Sequence, residues 1–405
     1  MATPLVQQSL TANELTSKYL GYSKFILRWN TKKNMFESSS KISVWHFTTG
    51  IAMTGFYSAV MLVSHIMQKN DTSTTHIIDE QHQAILTLFN LDWIISTGLN
   101  YCYFKWHVDM IEYSNRLFYY QKHYMNREID SEFDLKKIYQ EVLKLIKGQN
   151  CDLIGLMLLY VVHFLSIVAH FSAVVLGLIG VDPYSIAGIN LIPKEYEGLR
   201  TSGWFSLITF PFFLIYVMEA CRTLRTTLLL GITMTQITIT CIQDIFRNTA
   251  VDGQMPESIR LYQLLYIVHL HYGPCGNLVA VLMGIGYFIG ASTGAISLVG
   301  FRFMHPAIYI MFPLIWLVVL IAMLVALPYA ERSYELTRDL IKRWQYMVAS
   351  YSGKNAKFYR MKVRTLRQIG FKCGSVGNIC KETKTIYLGA LLCDTNNILL
   401  LFNSA

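Results

Sequence analysis

Residues 261–301 read LYQLLYIVHLHYGPCGNLVAVLMGIGYFIGASTGAISLVGF, and this run contains no Asp, Glu, Lys or Arg. After the single charge of Arg302, residues 303–330 form a second run without charge. About 20 apolar residues in a helix cross a bilayer of roughly 30 Å, so each run is long enough to span one. This stretch predicts a membrane protein rather than a soluble one.

The composition of the whole chain agrees with that prediction. Of the 405 residues, 53% are hydrophobic and only 15% are charged, against about 25% charged in ordinary soluble proteins. Such a chain is too apolar to be disordered and too long to be a small secreted scaffold. Its net charge of +9 is concentrated in loops rather than spread over a surface, so we expect no nucleic-acid partner.

The apolar segments of the chain define seven predicted membrane crossings. The 261–301 run is too long for one simple crossing, and it is either a helix with a cytosolic extension or a crossing plus a re-entrant piece broken at Gly273-Pro274. Two full crossings in this run would make eight in total. The seven predicted crossings are residues 44–67, 83–104, 153–181, 202–218, 261–301, 303–330 and 385–402.

The distribution of Lys and Arg orients the chain. With seven crossings, 31 of the 35 basic residues fall on one side, and basic loops collect on the cytosolic side of a membrane. An eighth crossing would move the basic 331–384 loop outside. We therefore expect an all-α polytopic membrane protein with seven transmembrane helices, a cytosolic N-terminus and an extracellular C-terminus.

This topology divides the chain into four parts. Residues 1–43 are predicted to be a cytosolic segment, and residues 44–330 hold the first six transmembrane helices with cytosolic helical extensions. Residues 331–384 form a cytosolic helix and connection, and residues 385–405 form the last transmembrane helix. The sequon Asn70-Asp71-Thr72 falls in the first external loop, where Asn70 is open to glycosylation.

Three familiar classes of membrane protein fit the chain poorly. G-protein-coupled receptors have the opposite orientation, and retinal proteins need a Lys within the last helix. Transporters commonly show paired repeats, which this sequence lacks. His163 and His170 share a face of the third crossing, but no further ligand completes a metal site. We expect no metal, no cofactor and no enzymatic activity.

The last crossing carries a resemblance to a known family. Tyr387 is followed by five apolar residues and then by Cys393-Asp394. The chain resembles the arthropod gustatory and odorant receptor superfamily, whose last helix has Thr-Tyr, five apolar residues and Gln-Phe. Here Ile386 stands in place of the Thr, and Cys393-Asp394 in place of Gln-Phe. The length, the inverted seven-helix plan and the long cytosolic loops strengthen the resemblance, which is to a gustatory-receptor-like member.

The resemblance implies a chemosensory receptor of the plasma membrane that is a ligand-gated, non-selective cation channel. In that family four subunits, identical or related, surround one pore lined by their last helices, and cytosolic helical extensions anchor the tetramer. A small tastant or odorant binds in the outer half of each helix bundle. Two alternatives stay open: a seven-helix receptor that signals through a cytosolic partner, and a transporter-like membrane protein without channel activity.

The last helix offers candidate pore residues. Tyr387, Asp394 and Asn397 share a face at a period of 3.6 residues, and rings of carboxylates are a common cation-selective device. An aliphatic ring of Leu391 or Ile398 would close such a pore by dewetting. Two alternatives stay open for Asp394: it pairs with a His or Arg of its own subunit, or it lies solvated at the external mouth.

Helix direction also predicts the ligand site, because the outer halves of the second, third, fourth and sixth crossings meet there. Aromatic and aliphatic walls suit a small apolar ligand, whereas Asp92 suits a cationic or polar one. Plain packing is the alternative for every member of this set. The predicted ligand-binding residues are Phe89, Asp92, Trp93, His170, Phe171, Val174, Phe205, Ile208, Phe212, Tyr309, Phe312 and Trp316.

Three further patterns concern packing and charge. Glu219, Arg222 and Arg225 share one helical face, which fits a helix that leaves the membrane and packs with residues 259–272 and 332–367. Residues 354–372 carry seven Lys or Arg and no acid, and a basic helix on anionic lipid is one explanation. Gly286, Gly290 and Gly294 form a small-residue stripe that allows two helices to approach closely.

Overall fold

The computed structural model describes residues 4–20, 22, 25–39, 80–125, 134–149, 151–178, 203–249, 254–271, 273–299, 309–350, 354–373 and 377–404. Within the helices, the side chains of residues 80–95, 203–206 and 273–282, among others, lie outside the described part. The elements are α1 Pro4–Tyr19, β1 Leu27–Asn30, β2 Met35–Ser38, α2 Glu80–Tyr124, α3 Leu135–Ile146, α4 Leu153–Leu178, α5 Gly203–Thr249, α6 Met255–Leu270, α7 Gly273–Val299, α8 Met311–Ala349, α9 Lys354–Arg364 and α10 Lys381–Ser404.

Six of the seven predicted crossings lie on these helices, and the first, at residues 44–67, lies outside the described residues. In the described part, Leu153–Phe171 and Leu207–Thr249 are long and apolar enough to span a membrane, and Ile289–Leu298 is a shorter apolar segment. The number of crossings and the orientation of the termini therefore stay predictions.

The long apolar run divides where proline and glycine predicted a break. Helix α6 ends at Leu270 and α7 begins at Gly273. Pro274 fits the first turn of a helix, where its missing N–H leaves no hydrogen bond unmade. The run is thus two helices. Helix α6 packs against α5 and α2, whereas α7 packs against α2, α8 and α10.

Helix α5 is one continuous helix of 47 residues, which is about 70 Å long at 1.5 Å per residue. A bilayer accounts for less than half of that length, so the predicted continuation of this helix beyond residue 218 is present. Exposed apolar side chains line α4 at Tyr160, Ile167 and Phe171, and α5 at Leu207 and Ile208. Spaced along two apolar helices, they form surfaces suited to lipid.

The all-α prediction missed a hairpin in the N-terminal segment. Strands β1 and β2 pair antiparallel across a turn that contains Asn34 at a positive φ of 52°. The rings of Trp29, Phe36 and Phe118 pack together, and Asn115 of α2 bonds both the N–H and the carbonyl of Phe36. Helix α2 therefore provides hydrogen-bond partners for the backbone of β2 at Phe36. This contact joins residues 79 positions apart in the sequence.

The predicted cytosolic extensions pack into one core. Trp344 of α8 is fully buried, its Nε1 donates to Thr249 Oγ1 of α5 at 3.2 Å, and its ring meets Tyr262 of α6 edge-on at 5.4 Å. Leu340 and Ile245 are buried in the same core. The predicted packing of the α5 extension with residues 259–272 and 332–367 is thus observed within the protomer.

Candidate functional site

The last helix, α10, is held against α7 by polar contacts. The hydroxyl of Tyr287 donates a hydrogen bond to the Asp394 carboxylate, and Asn397 Nδ2 donates to the other carboxylate oxygen at 3.2 Å. The hydroxyl of Tyr387 donates to the carbonyl of Met283 at 2.9 Å, and the Tyr287 and Tyr387 rings meet edge-on at 5.8 Å. The polar groups of this face are thus engaged inside one protomer.

The small-residue stripe of α7 receives side chains from two other helices. At Gly286 the end of the Met323 side chain occupies the space that a Cβ would take. At Gly294 a Cβ would lie 2.8 Å from Trp316 Nε1 and 3.3 Å from the Thr395 methyl carbon. The stripe predicted close packing, and the structure has it, with α8 on one side and α10 on the other.

The opposite face of α10 is not covered by the part of the protomer that the structure describes. Ile386 is 71% exposed, Leu392 60% and Leu400 66%, and Asn396 lies on the same side. Residues at this spacing share one side of a helix. Apolar groups on a bare helix face are suited to lipid or to a neighbouring subunit.

The five predicted pore residues divide between these two faces. Leu391 is buried at 2% exposure, whereas Tyr387, Asp394 and Ile398 are partly buried and Asn397 is exposed. Asp394 and Asn397 are brought together by their hydrogen bond. Tyr387 lies seven positions before Asp394, which is about two turns of the helix, and it too contacts α7. Their predicted role in a pore stays a prediction.

Three predicted ligand residues lie together at the start of α8. The hydroxyl of Tyr309 donates to the carbonyl of Ser297 at 2.8 Å, Phe312 is 2% exposed, and Trp316 fills the space beside Gly294. Tyr309 and Trp316 contact the C-terminal half of α7, and Phe312 lies on the same helical face. Through Gly294 and Thr395, this aromatic group adjoins the last helix.

The other described members of the predicted ligand set do not converge on that group. Phe171, Val174, Ile208 and Phe212 lie on exposed faces of α4 and α5. Because both helices carry apolar residues on several faces, sequence periodicity could not distinguish their inner faces from their outer ones. The side chains of Phe89, Asp92, Trp93 and Phe205, and the residue Asn70, lie outside the described part.

His170 contacts the N-terminal segment. Its ring meets Tyr22 edge-on at 5.6 Å, its Nδ1 lies 2.9 Å from the Ser166 carbonyl, and its Nε2 lies 3.2 Å from the Leu20 carbonyl. Helix α1 packs along α4, with Leu5 at the position of Gly155. The sequence contained no signal for this contact, because the two segments are about 150 residues apart.

The charges that end the apolar part of α5 are buried. Arg222 forms a salt bridge with Glu219, and its guanidinium lies 5.0 Å from the ring of Phe25. Arg225 is fully buried, donates to Ser166 Oγ and to Ser17 Oγ, the latter at 2.7 Å, and lies 4.8 Å from the Tyr22 ring.

This burial is a second feature that the sequence did not predict. Among the described residues Arg225 has no carboxylate partner. A buried cation is tolerated only where hydrogen bonds and aromatic faces replace water. The N-terminal segment provides both, so it completes this part of the bundle.

In the part of the chain that the structure describes, no three His, Cys, Asp or Glu side chains lie close enough together to hold a metal ion. The expectation that the protein needs no metal or cofactor is not decided by this. It stays an expectation.

Comparison with solved structures finds a protein of similar fold over the full length of the chain. The insect olfactory receptor OR5 from Machilis hrabei, determined in complex with eugenol, superposes with a TM-score of 0.55. The match covers 98% of this chain and 97% of that chain at 9% sequence identity. The chain has an insect olfactory receptor fold.

At 9% identity the likeness to the olfactory receptor establishes the fold alone. No family model matches the sequence, and no curated protein is similar to it in sequence. The resemblance to the gustatory and odorant receptor superfamily is therefore supported at the level of the olfactory receptor fold. The gustatory subtype stays a prediction.

Proposed function

We propose that the chain is a chemosensory receptor of the plasma membrane and acts as a ligand-gated, non-selective cation channel. The observation that carries this proposal is the shared fold with an olfactory receptor over 98% of the chain. Exposed apolar faces on α4 and α5 add support, because they suit a bilayer. The proposed activity is not enzymatic.

The proposed channel is a tetramer of identical or related subunits around a central pore. Support comes from α10, which touches α7 and α8 on one side and leaves Ile386, Leu392 and Leu400 bare on the other. Fourfold assembly around this face would cover those side chains. The packed core around Trp344 would provide the cytosolic anchor that holds the subunits together.

The proposed ligand is a small, largely apolar tastant or odorant in the outer half of the helix bundle. The neighbouring receptor was determined with eugenol, a small molecule. Tyr309, Phe312 and Trp316 form an aromatic group next to α7, and Trp316 also borders Thr395 of α10 through Gly294. A ligand that displaces Trp316 would therefore act directly on the position of the last helix.

The experiment is calcium imaging of cells that express the chain, alone and with a co-receptor subunit, against a panel of small volatile and taste compounds. We expect at least one compound to evoke calcium entry. Trp316→Ala should abolish the response at unchanged surface expression. Tyr346→Ala, which removes an exposed aromatic far along the same helix, should leave it intact. A purified protein that stays monomeric would remove the proposal, since one helix bundle has no central pore.

A further inference from the structure

A cavity of about 560 Å³ lies between α6, α8 and the connection that precedes the last helix. It is open on one side and is separate from the aromatic group around Trp316. Basic and amide side chains dominate its polar wall. They are His269, Gln345, Arg367, Gln368, Lys372 and Asn378.

The backbone of this connection is fixed by three hydrogen bonds from buried or half-buried side chains. The hydroxyl of Tyr262 donates to the Arg367 carbonyl at 2.6 Å, and Thr337 Oγ1 donates to the Ile369 carbonyl at 3.1 Å. His269 Nε2 lies 2.9 Å from the Gly370 carbonyl. Residues 367–370 are therefore held in one place, although they belong to no helix or strand.

A short antiparallel bridge completes the wall. Cys373 N–H donates to the Gly377 carbonyl at 2.8 Å and Ile379 N–H donates to the Phe371 carbonyl at 2.9 Å, which places Lys372 opposite Asn378. Side chains of directly opposed residues project on the same side of such a pair. Both line the cavity, so an ammonium and an amide are presented together.

The two cations of the cavity are not neutralised within the described residues. Neither Arg367 nor Lys372 has a carboxylate within salt-bridge distance there, and no Asp or Glu lines the cavity. Residues 354–372 hold seven Lys or Arg and no acid. The local field therefore favours an anion, and it is strongest where the two cations share one wall.

We propose that this cavity binds a phosphate-bearing anion. The guanidinium of Arg367 offers a planar fork of donors that matches phosphate, and Lys372 adds a compact positive charge. Gln345, Gln368 and Asn378 add amide donors around them. An inositol phosphate headgroup has this chemistry, whether it is carried by a membrane lipid or is free in solution.

The cavity lies close in sequence to the last helix, so binding there can affect the position of that helix. Lys372 lies nine positions before Lys381, where α10 begins. An anion that bridges Arg367 and Lys372 would tie Lys372, on the side of the connection nearer to α10, to the held residues 367–370. The binding itself does not depend on the proposed channel function, so it is measured without any recording of current.

The test measures binding by the full-length receptor in detergent. One arm uses inositol hexakisphosphate, and the other uses a short-chain phosphatidylinositol bisphosphate; both are read as saturable shifts in melting temperature. We expect saturable binding in at least one arm. Binding of only the lipid probe assigns a membrane headgroup, and binding of only the soluble probe assigns a soluble phosphate. No saturable binding in either arm overturns the proposal.

Variants distinguish a defined binding site from nonspecific electrostatic attraction of the anion to the basic segment 354–372. The pair Arg367→Gln and Lys372→Gln should weaken binding at least about tenfold, which corresponds to about 1.4 kcal/mol. The control pair Lys357→Gln and Arg364→Gln removes two exposed cations of α9 that do not line the cavity. An equal loss in the control pair would overturn the proposal.

A milder variant keeps the test decisive if the double variant does not fold. Arg367→Lys keeps the charge and loses the fork, so it should bind with an affinity between those of the wild type and the double variant. Wild-type affinity in Arg367→Lys, with no loss in a singly substituted Lys372→Gln, would also overturn the proposal.

Discussion

Tyr287 of α7 donates a hydrogen bond to the carboxylate of Asp394 in the last helix. The same carboxylate accepts a second bond from Asn397. A carboxylate in an apolar bundle needs such partners, because an unpaired charge there is costly. The residue predicted to face a pore is thus also a structural link between two helices, and the two roles are separable by experiment.

Asp394→Asn keeps the size of the side chain and removes its charge. If four Asp394 carboxylates line a pore, this change should lower divalent permeability or single-channel conductance while surface expression is retained. Tyr287→Phe is the matched control, because it removes only the hydroxyl. It should lower stability by about 0.6–2 kcal/mol without altering the reversal potential. Unchanged permeation in Asp394→Asn would assign the carboxylate to packing alone.

Gly294→Ala should destabilise the protein by about 1–3 kcal/mol, because the new methyl group meets the rigid indole of Trp316 in a close-packed contact. Gly284→Ala on the same helix is the control. A Cβ at Gly284 meets nothing within 4 Å, so its effect should be near zero or slightly stabilising. The measurement is the melting temperature of each variant in detergent, compared with that of the wild type. Equal melting temperatures for the two variants would contradict the close approach of α7 and α8.

Because the guanidinium of Arg225 is buried, removing its hydrogen-bond partners should destabilise the protein more than removing Arg225 itself. Ser17→Ala combined with Ser166→Ala leaves the cation without its two hydroxyl acceptors and should cost about 2–5 kcal/mol. Arg225→Met removes the cation together with its need for partners and should cost less. Thermal unfolding of the three proteins provides the comparison. A larger loss in Arg225→Met than in the double serine variant would refute this account.

Trp344→Ala should cost about 3–5 kcal/mol, since it empties a fully buried site shared by α5, α6 and α8. Tyr346→Ala, two positions along the same helix, removes a side chain that is 79% exposed and should change the unfolding free energy by less than about 0.5 kcal/mol. Size-exclusion chromatography of both variants also reports assembly. A stable, well-assembled Trp344→Ala protein would show that this core does not hold the cytosolic extensions.

Asn70 provides a topological prediction that is independent of the fold. If the first loop is external, a glycosidase should increase the electrophoretic mobility of the expressed protein, and Asn70→Gln should remove that shift. A tag at the C-terminus should be stained on unpermeabilised cells. An intracellular C-terminus would contradict the predicted orientation.

Patterns local in sequence predicted the structure well. Apolar runs located the helices, Gly273-Pro274 located a break, and the glycine stripe located a close helix contact. Features that depend on distant partners were missed. Phe36 meets Asn115, Arg225 meets Ser17, and Asp394 meets Tyr287, and in each pair neither residue type implies the other. The faces of α4 and α5 were also ambiguous, because apolar residues lie on both sides of a helix that meets lipid and protein.

The contact between Ser17 and Arg225 joins positions 208 residues apart, and this separation orders the biosynthesis of the protein. The N-terminal helix leaves the ribosome long before its binding site on α5 exists, so it must wait until half of the chain has been synthesised. Leu5 of the same helix packs at Gly155 of α4, so its partner is synthesised earlier than the partner of Ser17. Docking of this segment is thus completed late, only after both α4 and α5 have been synthesised.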